Sequence, residues 1–156
     1  MKKVLVTGAS GFIGSYIVSE GLEKGFEMWA GMRGTSSRGY LQDNRIKFAQ
    51  LNLGDKNQLK QQLEALKSEM GGAWDYVVHA AGATKCLKIE DFYRTNTQGT
   101  INLIEALQET DMVPERFVFV SSLSVFGAIR ETPVKTPAQG YGKGAEISEE
   151  ESIYNP

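Results

Sequence analysis

Three glycines stand at intervals of three in Thr7-Gly8-Ala9-Ser10-Gly11-Phe12-Ile13-Gly14, between a short apolar run and a helical pattern. The run before them, Val4-Leu5-Val6, is unbroken in apolar character, as in a strand buried on both faces. After them, Phe12 to Lys24 carries Ile13, Ile17 and a Tyr16/Gly21 flank at helical spacing, and Gly25 is a natural stop. A strand that turns through glycines straight into a helix suits the edge of a parallel sheet. There Gly8 can take tight-turn angles, Gly11 can let a pyrophosphate approach the main chain, and Gly14 can let the helix pack closely. The helix N-terminus adds unpaired N–H groups and a positive dipole end. A turn that is glycine-rich for packing alone is the competing reading. The placing of these glycines after the first strand and before the first helix weighs against it.

The rest of the chain repeats the alternation. Phe26 to Met32 and Ile46 to Leu51 read as strands around a loop, Gly34-Thr35-Ser36-Ser37. Lys56 to Met70 reads as a helix, with Leu59, Leu63, Leu66 and Met70 on one face and Gly71-Gly72 at its end. Tyr76-Val77-Val78 is a fourth buried strand. Ile89 to Glu109 is a long helix, with Phe92, Asn96, Gly99, Leu103 and Leu107 on one face, and Arg116 to Val120 is a fifth strand. After Gly127 the periodicity stops, and residues 128–156 read as a loop region. The expected fold is α/β, a doubly wound parallel sheet (a Rossmann fold) over residues 1–127, incomplete at its C-terminal side.

Composition removes several function classes. The 17 Lys+Arg against 19 Asp+Glu leave no basic excess to drive binding to nucleic acid. One cysteine, Cys86, and one histidine, His79, exclude an intrachain disulfide and any site built on two of either. No apolar stretch approaches a membrane span, and Thr7-Gly8 breaks the N-terminal run too early for a signal peptide. The expected location is the cytoplasm. His79 lies within the fourth strand and is expected to be a packed, hydrogen-bonded core residue. Cys86 is expected to be a bystander.

Thr7-Gly8-x-x-Gly11-x-x-Gly14 resembles the nucleotide fingerprint of the extended short-chain dehydrogenase/reductase family, which includes sugar-nucleotide epimerases, dehydratases and dihydroflavonol-reductase-like enzymes. Three further segments resemble it in order: Asn52-Leu53-Gly54-Asp55, His79-Ala80-Ala81-Gly82, and Val120-Ser121-Ser122-x-x-Val125-Phe126-Gly127. The resemblance implies that Gly8, Ser10, Gly11, Phe12, Ile13 and Gly14 hold a dinucleotide. Asn52 and Leu53 would lie beside its adenine, where the family often has Asp in place of Asn52. Ala80, Ala81 and Gly82 would floor the nicotinamide site, and Ser121 would end the fifth strand beside it. Ser122 would be catalytic, its hydroxyl bonded to a substrate oxygen. Asn96 would tie helix to strand.

The cofactor is expected to be NADP, with NAD as the alternative. The acidic residue that NAD sites place about 20 residues past the glycine turn falls near Met32 here, so no carboxylate repels a 2′-phosphate. Arg33 offers a planar fork, and Ser36 and Arg38 can add contacts. The family's Tyr-x-x-x-Lys pair is missing: Ala145 stands four residues after Tyr141, and only Asn155-Pro156 follows Tyr154. The chain therefore reads as the N-terminal part of an oxidoreductase, epimerase or dehydratase that transfers hydride at a hydroxyl or carbonyl. The expected partners are a small-molecule or sugar-nucleotide substrate and a second copy in a homodimer, with neither nucleic acid nor membrane and no metal. The alternative is a naturally short, non-catalytic dinucleotide-sensing domain.

Overall fold

The computed structural model describes residues 1–122, 131–136 and 140–145. The chain divides into two compact units, Met1–Val120 and Ser121–Pro156. The first unit runs β1 (Lys3–Thr7), α1 (Phe12–Glu23), β2 (Glu27–Met32), β3 (Lys47–Gln50), α2 (Lys56–Met70) and β4 (Tyr76–His79). A continuous helical run follows, made of α3 (Ile89–Phe92), a π-helical stretch (Tyr93–Gln98) and α4 (Gly99–Glu109), and then β5 (Arg116–Phe119). All five strands are parallel, in the order β3-β2-β1-β4-β5.

Side chains of a strand alternate between faces, and β1 shows what that does here. Leu5 joins Trp29, Leu59, Leu63, Val77 and Leu103 in one buried cluster, beneath α2 and α4. Val4 and Val6 join Val18, Leu22, Met28 and Ala30 in another, beneath α1. Both faces of the sheet are thus covered, which a continuous apolar strand requires. Each fully buried leucine contributes roughly 1.5–3 kcal/mol. Asp55 caps α2 by accepting the Gln58 N–H at 3.0 Å, and Gly71 ends that helix in the left-handed region at φ 68°.

Helix α1 corrects the face read from its sequence. Its buried residues are Gly14, Ser15, Val18, Gly21 and Leu22, while Ile13 and Tyr16 are exposed. The helix packs on its small residues because it lies so close to the sheet. A Cβ added at Gly21 would lie 3.1 Å from Met28 Cγ. The described residues of the region read as a loop, 131–136 and 140–145, are strands. In the second unit β6 (Glu131–Thr136) and β7 (Gly140–Ala145) pair antiparallel. Glycine at every second position of β7 removes the apolar alternation that would have marked a strand. Leu123 to Gly127, the end of the fifth-strand motif, lies outside the described residues.

Candidate functional site

The register of the sheet brings several strand ends level. Thr7 pairs with Gly31 and with His79, and His79 pairs with Phe119. The residues just past these ends, Gly8, Arg33 and Ala80, therefore gather on one side. They border a crevice of about 660 Å³, within the range of small-molecule sites. It lies between the turns after β1 and β4, where the strand order reverses direction.

Of the residues singled out in the sequence, Gly8, Ser10, Gly11, Arg33, Ser36, Asn52, Leu53, Ala80, Ala81 and Gly82 line this crevice. Phe12, Ile13 and Gly14 form the first turn of α1 without lining it. Arg38 turns elsewhere, its guanidinium 3.9 Å from the centre of the Phe48 ring. Ser121 and Ser122 are exposed residues of the second unit, directly after Val120. Thr7, Asp55, Arg94 and Thr95 also line the crevice and were missed as site residues. The topology carried the signal for Arg94 and Thr95, because a crossover helix leaving β4 starts at the carboxyl end of the strands.

The glycines of the turn separate by what a side chain would meet. At Gly8, with φ +67°, an added Cβ would lie 2.7 Å from the Ala80 carbonyl oxygen. At Gly14 it would lie 2.8 Å from the carbonyl carbon of Gly8. The fold itself demands these two glycines. Gly11 has φ −82° and ψ 167°, open to any residue, and an added Cβ would meet only the Gly8 carbonyl oxygen, at 3.3 Å. At Gly82 the nearest atom would be Asn96 Oδ1, at an ordinary 3.4 Å. A Cβ at Gly82 would be in ordinary contact, one at Gly11 would need the Gly8 carbonyl to give by a few tenths of an ångström, and both glycines line the crevice. The first-turn N–H groups of α1 lack helical carbonyls, and no side chain caps this end.

The remaining walls are held from behind. Asn52 Oδ1 accepts the Gly54 N–H at 3.1 Å, and its Nδ2 donates to Gln58 Oε1 at 2.5 Å. One Nδ2 proton of Asn52 is left for a ligand. Asn102 Nδ2 donates to the Leu53 carbonyl at 2.8 Å and ties that loop to α4. Asn96 accepts the Ala83 N–H at 2.7 Å and donates back to the Ala83 carbonyl at 3.1 Å, so it ties helix to strand end. His79 is buried, with Nδ1 2.6 Å from Thr7 Oγ1, Nε2 2.9 Å from Thr100 Oγ1, and its ring stacked on Phe119. Burial lowers its pKa to about 4, so it is neutral and a core residue.

Asp55 is the one carboxylate among the crevice residues, against Arg33 and Arg94. A second cavity, of about 460 Å³, opens at the other end of the strands, with Lys3, Glu27, Lys47 and Glu69 in its lining. There Lys47 pairs with Glu27 at 2.9 Å, and Lys3 Nζ donates to the Met70 carbonyl at 3.0 Å. Among the described residues no group of three or more His, Cys, Asp or Glu could hold a metal ion, and no helix is long and apolar enough to cross a membrane.

Comparison with known proteins adds a family. The model of the Epimerase family, described as the NAD dependent epimerase/dehydratase family, matches residues 4–152. UDP-glucose 4-epimerase 2 of Arabidopsis thaliana is 31% identical over 146 residues, which are 85% of this chain and 39% of that protein. The solved UDP-Glc/GlcNAc 4-epimerase of Campylobacter jejuni matches with a TM-score of 0.68 and 25% identity, over 93% of this chain and 44% of its own. The Bordetella bronchiseptica enzyme WbmH, solved in complex with NAD+, matches with a TM-score of 0.65 and 28% identity, over 90% of this chain and 48% of its own. The chain spans less than half the length of each of these relatives.

Proposed function

The chain belongs to the NAD-dependent epimerase/dehydratase family, and on that premise we propose that its crevice holds a nicotinamide dinucleotide. The observation that carries this reading is Gly11. No backbone angle forces a glycine there, and the absent side chain leaves room beside the bare N-terminus of α1. The residues present fit the group. The first-turn N–H groups suit a pyrophosphate. Leu53 and the spare Asn52 proton suit an adenine, and the Ala80–Gly82 floor lets a flat ring lie against backbone.

The cofactor of this chain is NADP(H) in our reading. Arg33 and Ser36 line the crevice just past β2, and Met32 stands where an acid would repel a 2′-phosphate. Arg38, engaged with Phe48, is left out of this role. Calorimetry with NADPH and NADH tests the assignment. A charge-assisted hydrogen bond is worth about 1.5–3 kcal/mol, so Arg33→Ala is expected to weaken NADPH roughly ten- to hundredfold and leave NADH unchanged. Equal losses for both cofactors would assign Arg33 a different role.

The protein's reaction, in this proposal, is hydride transfer at a hydroxyl or carbonyl of a small molecule or sugar nucleotide. The nicotinamide, when bound, accepts and returns the hydride. Ser122 holds the substrate oxygen, on the strength of the Val120-Ser121-Ser122 motif. Proton transfer needs a further group. His79 cannot serve, since it is buried with both ring nitrogens engaged. Ile101 and Ile104, exposed on α4, keep a homodimer within the proposal. A non-catalytic dinucleotide sensor is the second reading.

A further inference from the structure

The hydrogen bonds around His79 form a chain whose direction can be fixed proton by proton. Thr100 Oγ1 lies 2.6 Å from the Asn96 carbonyl, which can only accept, so the single Thr100 proton goes there. Toward His79 Nε2 the Thr100 oxygen must then accept, and Nε2 carries the proton. In the neutral ring Nδ1 is bare, so Thr7 donates its hydroxyl proton to it. The Thr7 oxygen in turn accepts the Ala81 N–H at 3.3 Å. Asn96, at the far end, grips both polar groups of Ala83 with its side chain. The floor of the crevice is thus held at Ala81 by Thr7 and at Ala83 by Asn96, and His79 with Thr100 joins the two holders. Gly8 lies so close to this floor that a Cβ there would meet Ala81 N at 2.7 Å. A shift of the floor would therefore displace the glycine turn.

Resting on the dinucleotide reading, we propose that His79, as its Nε2–H tautomer, is a positioning residue for the cofactor: through Thr7 and Thr100 it sets the floor and the glycine turn in register. Neither His79 nor Thr100 lines the crevice. Gly99, beside Thr100, does line it, so rescue by Thr100→Ser, which keeps the hydroxyl, is what separates the chain of bonds from a local disturbance of α4. One neutral hydrogen bond corresponds to roughly a two- to tenfold change in affinity.

The experiment compares the wild-type chain with Thr100→Val, which removes the hydroxyl at nearly constant shape, and with Thr100→Ser, which restores it. Calorimetry with NADPH and NADH is joined to thermal melts and to nitrogen-15 spectra of the His79 ring. Thr100→Val is expected to lower affinity roughly two- to tenfold, with Thr100→Ser close to wild type and the spectra showing a proton on Nε2. Unchanged affinity in a folded Thr100→Val chain, or a proton on Nδ1, would overturn the positioning role. The spectra are read without cofactor, so they decide the tautomer even if Thr100→Val fails to fold. A wild-type chain that binds neither dinucleotide would overturn the proposed function itself, a result distinct from either of these.

Discussion

A methyl group added at Gly14 would press on the carbonyl carbon of Gly8 at 2.8 Å, whereas one at Gly11 would meet a single oxygen at 3.3 Å. The two substitutions should therefore fail differently. Gly14→Ala is expected to destabilise the fold by about 1–3 kcal/mol, the usual cost of overpacking. Gly11→Val is expected to cost about 1 kcal/mol at most, the scale of an altered N-cap, yet to abolish dinucleotide binding. Melting curves beside calorimetry separate them, and wild-type affinity in Gly11→Val would remove the main support for the proposed site. His79 gives a pH prediction. Its pKa falls from 6.5 to about 4 on folding because burial disfavours the imidazolium. Between those values the unfolded chain binds a proton that the folded chain refuses, so stability rises with pH. His79 is then expected to remove about 3 kcal/mol as pH drops from about 6.5 to about 4. Urea titrations across that window should find the loss in wild type and a shallower slope in His79→Gln.

At the level of elements, the five strands and the helix from Lys56 to Met70 were legible because strongly apolar positions recur at the spacing each element needs. Helix α1 was legible as a helix but not in orientation. The sequence pointed to Ile13, Ile17 and a Tyr16/Gly21 flank; Gly21 is buried and Ile17 packs on the core, but close approach to the sheet buries Gly14, Ser15, Val18 and Leu22 and leaves Ile13 and Tyr16 exposed. The π-helical stretch Tyr93–Gln98 was not legible, since hydrophobic period does not distinguish it from α-helix over six residues. At the site, glycine spacing marked the turn, and strand ends marked Arg33 and the Ala80–Gly82 floor. Arg94 and Thr95 needed the topology. Asp55 was quoted within a motif without its local role, which is to cap α2. Asp55→Ala is expected to destabilise the chain by about 1 kcal/mol, read as a shift in denaturation midpoint at unchanged m-value. No shift would mean that water replaces the cap at no cost.

For the whole molecule, the expected outcome is dinucleotide binding without turnover by these 156 residues. The sequence offers no Tyr-x-x-x-Lys, and its only histidine is neutral and enclosed. Nicotinamide absorbance followed with UDP-sugars and simple carbonyl compounds checks this, and sustained oxidation or reduction would refute it. The strand order has a consequence for how such a chain is made. The middle strand of the sheet, Lys3–Thr7, leaves the ribosome before the other four, and β2–β3 and β4–β5 join through it. Until Tyr76–His79 emerges, β1 has one flank filled and the other open. The nascent chain must therefore carry an unpaired apolar edge while the residues between β1 and β4 are made, a stage at which chaperone capture or a competing strand from a neighbouring polysome would act. A silent codon change that slows translation between β2 and β4 would lengthen that exposure. It would lower the yield of soluble protein without altering a single residue.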